Sequence, residues 1–274
     1  MNKKKNLILV PTNKKNYFNL VKEIKHINNS DAKFIKKNYL DKNKNFLIIK
    51  NFGKDPAKIK NNIIKFSKNF GLIMAQDRFN RKFIEITPDV KNINKKNINL
   101  RYHQTNKGGY IHSDGPQLLN PPNYVLMACM QKASRGGYSI LSSIKKVLLE
   151  LKKNDKKTLS VLKKKFLFEK RGFYFKGQKK IFKKPIFEIY NREFKFRYLR
   201  DYINEAYKIK SINLQKSQKN ALDKLDKLLS KKKNQYIFKL NEGEVLLINN
   251  YKLAHGRSGF DLKNNRSLMR VWFK

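Results

Sequence analysis

Four histidines occur in this chain, at positions 26, 103, 112 and 255. One stands two residues from a carboxylate, in His112-Ser113-Asp114. On an extended strand, residues two apart point to the same side, so one imidazole and one carboxylate can bind a single metal ion together. A third ligand must then come from elsewhere in the chain. Two histidines and one carboxylate on one face of an octahedron leave three positions open, the arrangement that suits non-haem iron(II) oxygenases. Taken alone, His-x-Asp is a weak pattern, and a solvated loop pair competes with it.

The elements that would position this pair follow from periodicity and turn chemistry. Phe18, Val21, Ile24 and Ile27 recur at helical spacing, and residues 46–49 read as a short apolar strand. Asp55-Pro56 is an N-cap followed by proline at the first helical position, Ile59, Ile63, Phe66 and Phe70 form one face, and Gly71 stops the helix. Residues 92–110 are polar and predict a loop that delivers the chain to the His-x-Asp motif. Strands are expected at 124–130 and 138–141 around an Arg135-Gly136-Gly137 turn, then a helix capped by Ser142 or Ser143 and carrying Ile144, Val147, Leu148 and Leu151. Residues 152–180 are lysine-rich and give no consistent period beyond a helix around Leu159 and Leu162. Strands at 186–190 and 194–198 precede an amphipathic helix marked by Leu222, Leu225, Leu228 and Leu229. Residues 236–240 and 245–248 predict a hairpin about Asn241-Glu242-Gly243, and residues 268–273 a last strand.

Composition bounds the rest. With 274 residues, 40% hydrophobic, and 19 Phe and 13 Tyr, the chain is able to form a core and is not a low-complexity polymer. We read residues 1–274 as a single domain. The net charge of +44 raises the alternative of a non-catalytic, basic nucleic-acid-binding protein. The lysines are spread from end to end among Asn and Ile, however, as a compositional bias would place them, whereas a nucleic-acid footprint should cluster. Cys129 is the lone cysteine, so no intramolecular disulfide forms, and its apolar neighbours predict a buried, inert thiol. The apolar stretch near the N-terminus is too short for a signal-peptide core and no run is long enough to span a bilayer. These readings predict a cytoplasmic protein with no membrane partner.

One ordered set of motifs goes further. After His112 and Asp114 come Gly136-Gly137-Tyr138-Ser139, then His255-Gly256-Arg257 with Phe260, then Arg266 and Arg270. In order and spacing this set resembles the TauD/TfdA superfamily of iron(II)/2-oxoglutarate dioxygenases, which includes the clavaminate synthase-like enzymes. The resemblance covers most of the chain. It implies a double-stranded β-helix, a jelly-roll core with flanking helices, in which about 150–235 would be a lysine-rich insertion. It also implies that His112, Asp114 and His255 ligate Fe(II) and that Arg266 pairs with the distal carboxylate of 2-oxoglutarate, a contact suited to a planar guanidinium. Ser139 would support that same carboxylate. Arg270 would meet an acidic group of the substrate, and Arg257 and Phe260 would pack behind the ligands.

The activity so implied is hydroxylation of an unactivated C–H bond, consuming dioxygen and 2-oxoglutarate. The expected substrate is small and anionic: an amino acid, a sulfonate or an aminoacyl group on a carrier protein. Asp114 argues against a halogenase, because related halogenases replace that carboxylate with a small residue. Where relatives have Asp-Asn before the distal histidine, this chain has Asn249-Asn250.

Overall fold

Apolar residues alternate or run on through the strand segments, and the structure closes them into two facing antiparallel sheets. In the computed structural model, which describes residues 11–12, 16–17, 28–42, 45–93, 104–174, 177–190, 193–262 and 266–274, the chain begins with β1 (Pro11–Thr12) paired to β2 (Asn16–Tyr17). Next come α1 (Asn29–Ile35), a π-helical turn (Lys36–Leu40), β3 (Phe46–Ile49), α2 (Pro56–Phe70), β4 (Ile73–Met74), β5 (Phe83–Ile86) and β6 (Gly109–His112). Two longer strands follow, β7 (Tyr124–Gln131) and β8 (Ser139–Ser143). The chain then runs through α3 (Ile144–Asn154), α4 (Lys156–Leu162), β9 (Lys165–Glu169), β10 (Ile181–Pro185), β11 (Phe187–Tyr190), β12 (Glu193–Phe196), α5 (Arg200–Ile209) and α6 (Lys216–Ser230). It returns with β13 (Gln235–Phe238), β14 (Val245–Asn249), β15 (Leu253–Arg257) and β16 (Ser267–Phe273).

The larger sheet has the order β3-β14-β7-β16-β4, with β5 also on β16, and the smaller has β13-β8-β15-β6. This is a jelly-roll core. Strand alternation divides the apolar side chains between two layers. Phe46, Ile48, Val125, Leu246, Ile248 and Trp272 fill the space between the sheets, while Leu47, Ile49, Leu126, Val271 and Phe273 face outward. The outward set packs under Ile59, Ile63, Phe66 and Phe70, so α2 covers the larger sheet with the face its spacing predicted. Asp55 caps that helix by accepting from the Lys58 amide at 2.8 Å. The helices and strands between β8 and β13 gather round a separate cluster containing Leu148, Leu162, Phe166, Phe196, Leu222 and Leu225.

One expectation needs correction. The strands near 236–240 and 245–248 exist, but they do not form a hairpin: β13 pairs β8 in the smaller sheet, while β14 pairs β3 and β7 in the larger. The turn between them carries the chain from one sheet to the other, which strand pattern alone does not distinguish from a hairpin. Helix α5 was not foreseen, because its apolar face is short, made by Ile203, Ala206 and Tyr207 alone. The predicted helix at residues 18–27, with His26, and also His103, lie outside the described residues.

Candidate active site

Register brings the two distant histidines together. On the smaller sheet β15 runs antiparallel to β6 with His255 directly opposite His112, and their ring centroids are 4.6 Å apart. Asp114 completes the group: the ligand atoms of His112, Asp114 and His255 all lie within 4.8 Å of one another. β6 ends at His112, so strand geometry does not orient Asp114. Asn250 does so instead. Its side chain accepts from the Asp114 amide at 2.8 Å and donates to the Asp114 carbonyl at 2.9 Å and the Pro122 carbonyl at 3.0 Å. It is fully buried.

The carboxylate is held as well. Arg270 Nη1 donates to Asp114 Oδ1 at 2.8 Å and the Trp272 indole to Oδ2 at 3.0 Å. Burial by itself would raise this carboxyl, but the nearby Arg270, His255 and His112 charges and the indole outweigh it and keep Asp114 below the usual carboxylate range. His255 is pushed down to about 3, chiefly by burial. His112 is also lowered, by desolvation first, despite the opposing pull of Asp114. The site therefore presents one anionic carboxylate and two neutral imidazoles, the protonation states that bind a cation.

The donor set fits a metal on two further counts. A carbonyl only accepts, so the 2.9 Å contact between His112 Nδ1 and the Tyr110 carbonyl places the proton on Nδ1 and leaves Nε2 unprotonated. His255 Nε2 stands 3.7 Å from Asp114 Oδ2, too far for a hydrogen bond but close enough for both atoms to reach one ion. The other nitrogen of His255, Nδ1, is buried with no hydrogen-bond partner. Two histidines and a carboxylate, with open positions facing a cavity, suit iron(II).

That cavity has a volume of about 360 Å³, and the triad, Ser139, Arg266 and Arg270 all line it. Arg266 and Ser139 are buried. The Gly136-Gly137 turn makes room for Arg266. Both glycines adopt φ near +70°, a Cβ on Gly136 would lie 2.1 Å from the Gly259 carbonyl oxygen, and one on Gly137 would lie 3.2 Å from the Arg266 stem. Phe260, bridged to Gly136, packs its ring against the guanidinium groups of both Arg257 and Arg266, at 4.9 and 5.5 Å. Arg257 donates to the carbonyls of Thr105 and Lys107 and ties down the loop ahead of β6.

Four contributors escaped the sequence reading. Trp272 reads as plain core, yet its indole bonds Asp114. Gln76 accepts from Arg270 Nε at 2.7 Å and orients it. Arg197 is buried and donates to the carbonyls of Pro116, Leu118 and Leu119, fixing the loop that follows Asp114. Asn250 stands in the Asn-Asn pair that departs from the family pattern, and that pair was the one available signal. Cys129 is buried as expected, and its thiol is pushed up to about 12 by that burial, which makes it inert at neutral pH.

Comparison with known proteins agrees with this geometry. The sequence matches the family described as "Taurine catabolism dioxygenase TauD, TfdA family" over residues 28–272. It is 28% identical to human gamma-butyrobetaine dioxygenase over 156 residues, covering 55% of this chain and 40% of that protein. It is 23% identical to FR-33289 synthase of Streptomyces rubellomurinus over 212 residues, 74% of this chain and 60% of the other. The chain thus aligns with less than two thirds of the length of either relative. Among solved structures, an asparagine oxygenase in complex with Fe(II), 2S,3S-3-hydroxyasparagine and succinate superposes with a TM-score of 0.69 at 11% identity, covering 89% of this chain and 78% of that one. The non-heme iron oxygenase OrfP in complex with Fe and alpha-ketoglutaric acid gives 0.64 at 13% identity, covering 89% and 79%. These structures share the fold. With a sequence match that spans nearly the whole chain, this protein belongs to the TauD/TfdA family of dioxygenases.

Proposed function

We propose that this chain is an iron(II)- and 2-oxoglutarate-dependent dioxygenase that hydroxylates an unactivated C–H bond of a small, amino-acid-like molecule. The observation that carries the reading is the triad of His112, Asp114 and His255 on the wall of the same cavity as Arg266 and Ser139. In this reading the triad holds the iron. When bound, iron, 2-oxoglutarate and dioxygen together supply an oxidant strong enough for C–H cleavage, with succinate and carbon dioxide as coproducts.

The chain's own residues bind, orient and insulate. Arg266, stacked on Phe260, offers its planar fork to the distal carboxylate of 2-oxoglutarate, and the Ser139 hydroxyl donates to the same group. Arg270 keeps the Asp114 carboxylate turned toward the histidines, and its Nη2 remains for an anionic group of the substrate, such as an amino-acid carboxylate. Leu141, Leu246 and Leu268 on the cavity wall limit water near the reacting carbon. The substrate is free or carried on a protein. The single buried cysteine fits a reducing, cytoplasmic setting.

Succinate formation tests the proposal. Purified protein with iron(II), ascorbate and 2-oxoglutarate, offered a panel of amino acids, should form succinate in a metal-dependent way, and His112→Ala should abolish it. Succinate that persists at the same rate in His112→Ala would sink the reading.

A further inference from the structure

The sequence contains 20 acidic residues against 64 basic ones. Glu23 lies outside the described residues, and of the remaining acids all but two accept a hydrogen bond or form an ion pair. The two that make neither are Asp201 and Glu205, and both line the cavity that holds the triad, with Asp201 near enough to His112 to act on it electrostatically. They stand four residues apart on α5, which places them on one face about 6 Å apart. Asp201 lies in the first turn of α5, where a helix dipole favours an acid, but Glu205 sits a full turn further on, beyond the reach of that effect. In a chain with more than three basic residues for each acid, two neighbouring unpaired carboxylates on one cavity wall call for a cation that the protein itself does not supply.

A second, independent group points the same way. Gln117 lines the same cavity, is only 6% exposed, and its Oε1 is buried without a hydrogen-bond partner. An unsatisfied buried acceptor costs about 1–3 kcal/mol, and a ligand N–H removes that cost. We propose that Asp201, Glu205 and Gln117 form the recognition site for a protonated amine or guanidinium on the prime substrate.

The cation carries N–H bonds, because Gln117 needs a donor and a quaternary ammonium has none. An aromatic cage does not substitute for them at Tyr202, whose ring is already faced by Arg171 at 5.0 Å. The exposed lysines that make up most of the positive charge do not prevent binding, since exposed charges more than about 8 Å away are largely screened at physiological salt. With Arg270 lining the same cavity, the site then suits a zwitterion bound through both its charges. This inference rests on the dioxygenase reading only in taking the cavity as the substrate site.

Equilibrium binding tests it on the full chain with zinc(II) and 2-oxoglutarate present, a state that permits binding without turnover. The probes are L-lysine and L-arginine, each compared with its α-N-acetyl form and with L-norleucine or L-citrulline, which lack the side-chain cation. For the wild type, removing the recognised cation should weaken binding by about ten-fold or more. In the double variant Asp201→Asn/Glu205→Gln that penalty should vanish, and Gln117→Leu should reduce it. Because neither carboxylate makes a hydrogen bond or an ion pair, the double variant should stay folded, losing no more than the small helix-dipole contribution of Asp201 in the first turn of α5. Where the ε-amine is the recognised cation, Nε-trimethyl-L-lysine, which keeps the charge but has no N–H to offer Gln117, should bind more weakly than L-lysine. The inference is overturned if no probe binds, if cation removal costs the same in wild type and double variant, or if trimethylating the nitrogen whose removal weakens binding leaves affinity as it is for the unmodified amino acid. Its fate is separable from that of the dioxygenase reading through the visible band of the anaerobic iron(II)–2-oxoglutarate chelate. Cation selectivity without the band removes the dioxygenase reading alone, and the band without selectivity removes this inference alone.

Discussion

Asp114 is gripped through its backbone by Asn250 and through its carboxylate by Arg270 and Trp272, so its geometry is set by residues far away in sequence. Removing the Asn250 amide leaves a buried N–H and two carbonyls without partners. Asn250→Ala should therefore cost about 2–4 kcal/mol in denaturant unfolding, and the loosened ligand should bind iron(II) about 10- to 100-fold more weakly in a metal titration. Arg266 makes a different prediction. Arg266→Lys keeps the charge and loses the planar fork, so the Kd for 2-oxoglutarate should rise by about ten-fold or more with iron affinity little changed. That His112, Asp114, Arg266 and Arg270 gather round one cavity was legible because their residue types are few and their spacing is distinctive. Gln76, Trp272 and Asn250 were not, because an amide or an indole becomes part of a site only through contacts that sequence spacing does not reveal.

At the level of elements, turns and caps do the positioning. The Gly136-Gly137 turn admits no side chain where Gly259 crosses it. Gly136→Ala should cost about 1–3 kcal/mol from backbone strain alone and should weaken 2-oxoglutarate binding as well, because Phe260 and Arg266 pack against this turn; thermal unfolding and a ligand titration measure the two effects. Outside the sandwich, Asp155 caps α4 through the Thr158 amide and pairs with Lys224 of α6. The Lys224 ammonium, followed by the Thr158 amide, lowers its carboxyl to about 2. A depressed carboxyl contributes stability that is present above its unfolded pKa of about 4 and is lost as the pH falls through the folded value. Asp155→Ala should thus be less stable than wild type by about 1 kcal/mol at pH 7, with the gap narrowing between about pH 4 and pH 2 in pH-resolved urea melts. Helix α2 was legible from Asp55-Pro56 and its apolar face. Helix α5 was not read, because its apolar face is only Ile203, Ala206 and Tyr207, too short to stand out, while its polar face of Asp201, Asn204 and Glu205 lines the cavity.

For the whole molecule, the two-layer architecture could be anticipated from many short apolar strands, but which strand joins which sheet could not. Residues 235–249 show the reason: the turn residues fit a hairpin, and only pairing across the molecule sends β13 and β14 to different sheets. The +44 charge is likewise a property of the whole chain, and it carries little information about a site built from an acid, two neutral imidazoles and a few buried arginines. The central claim is that His112, Asp114 and His255 hold iron(II) beside 2-oxoglutarate. Anaerobic titration of the protein with iron(II) and 2-oxoglutarate, followed in the visible range, tests it most directly. The account predicts a weak charge-transfer band that saturates at one iron per chain, is absent in Asp114→Ala, and needs more 2-oxoglutarate in Arg266→Lys. No band at saturating iron(II) and 2-oxoglutarate, or an unchanged band in Asp114→Ala, would contradict it.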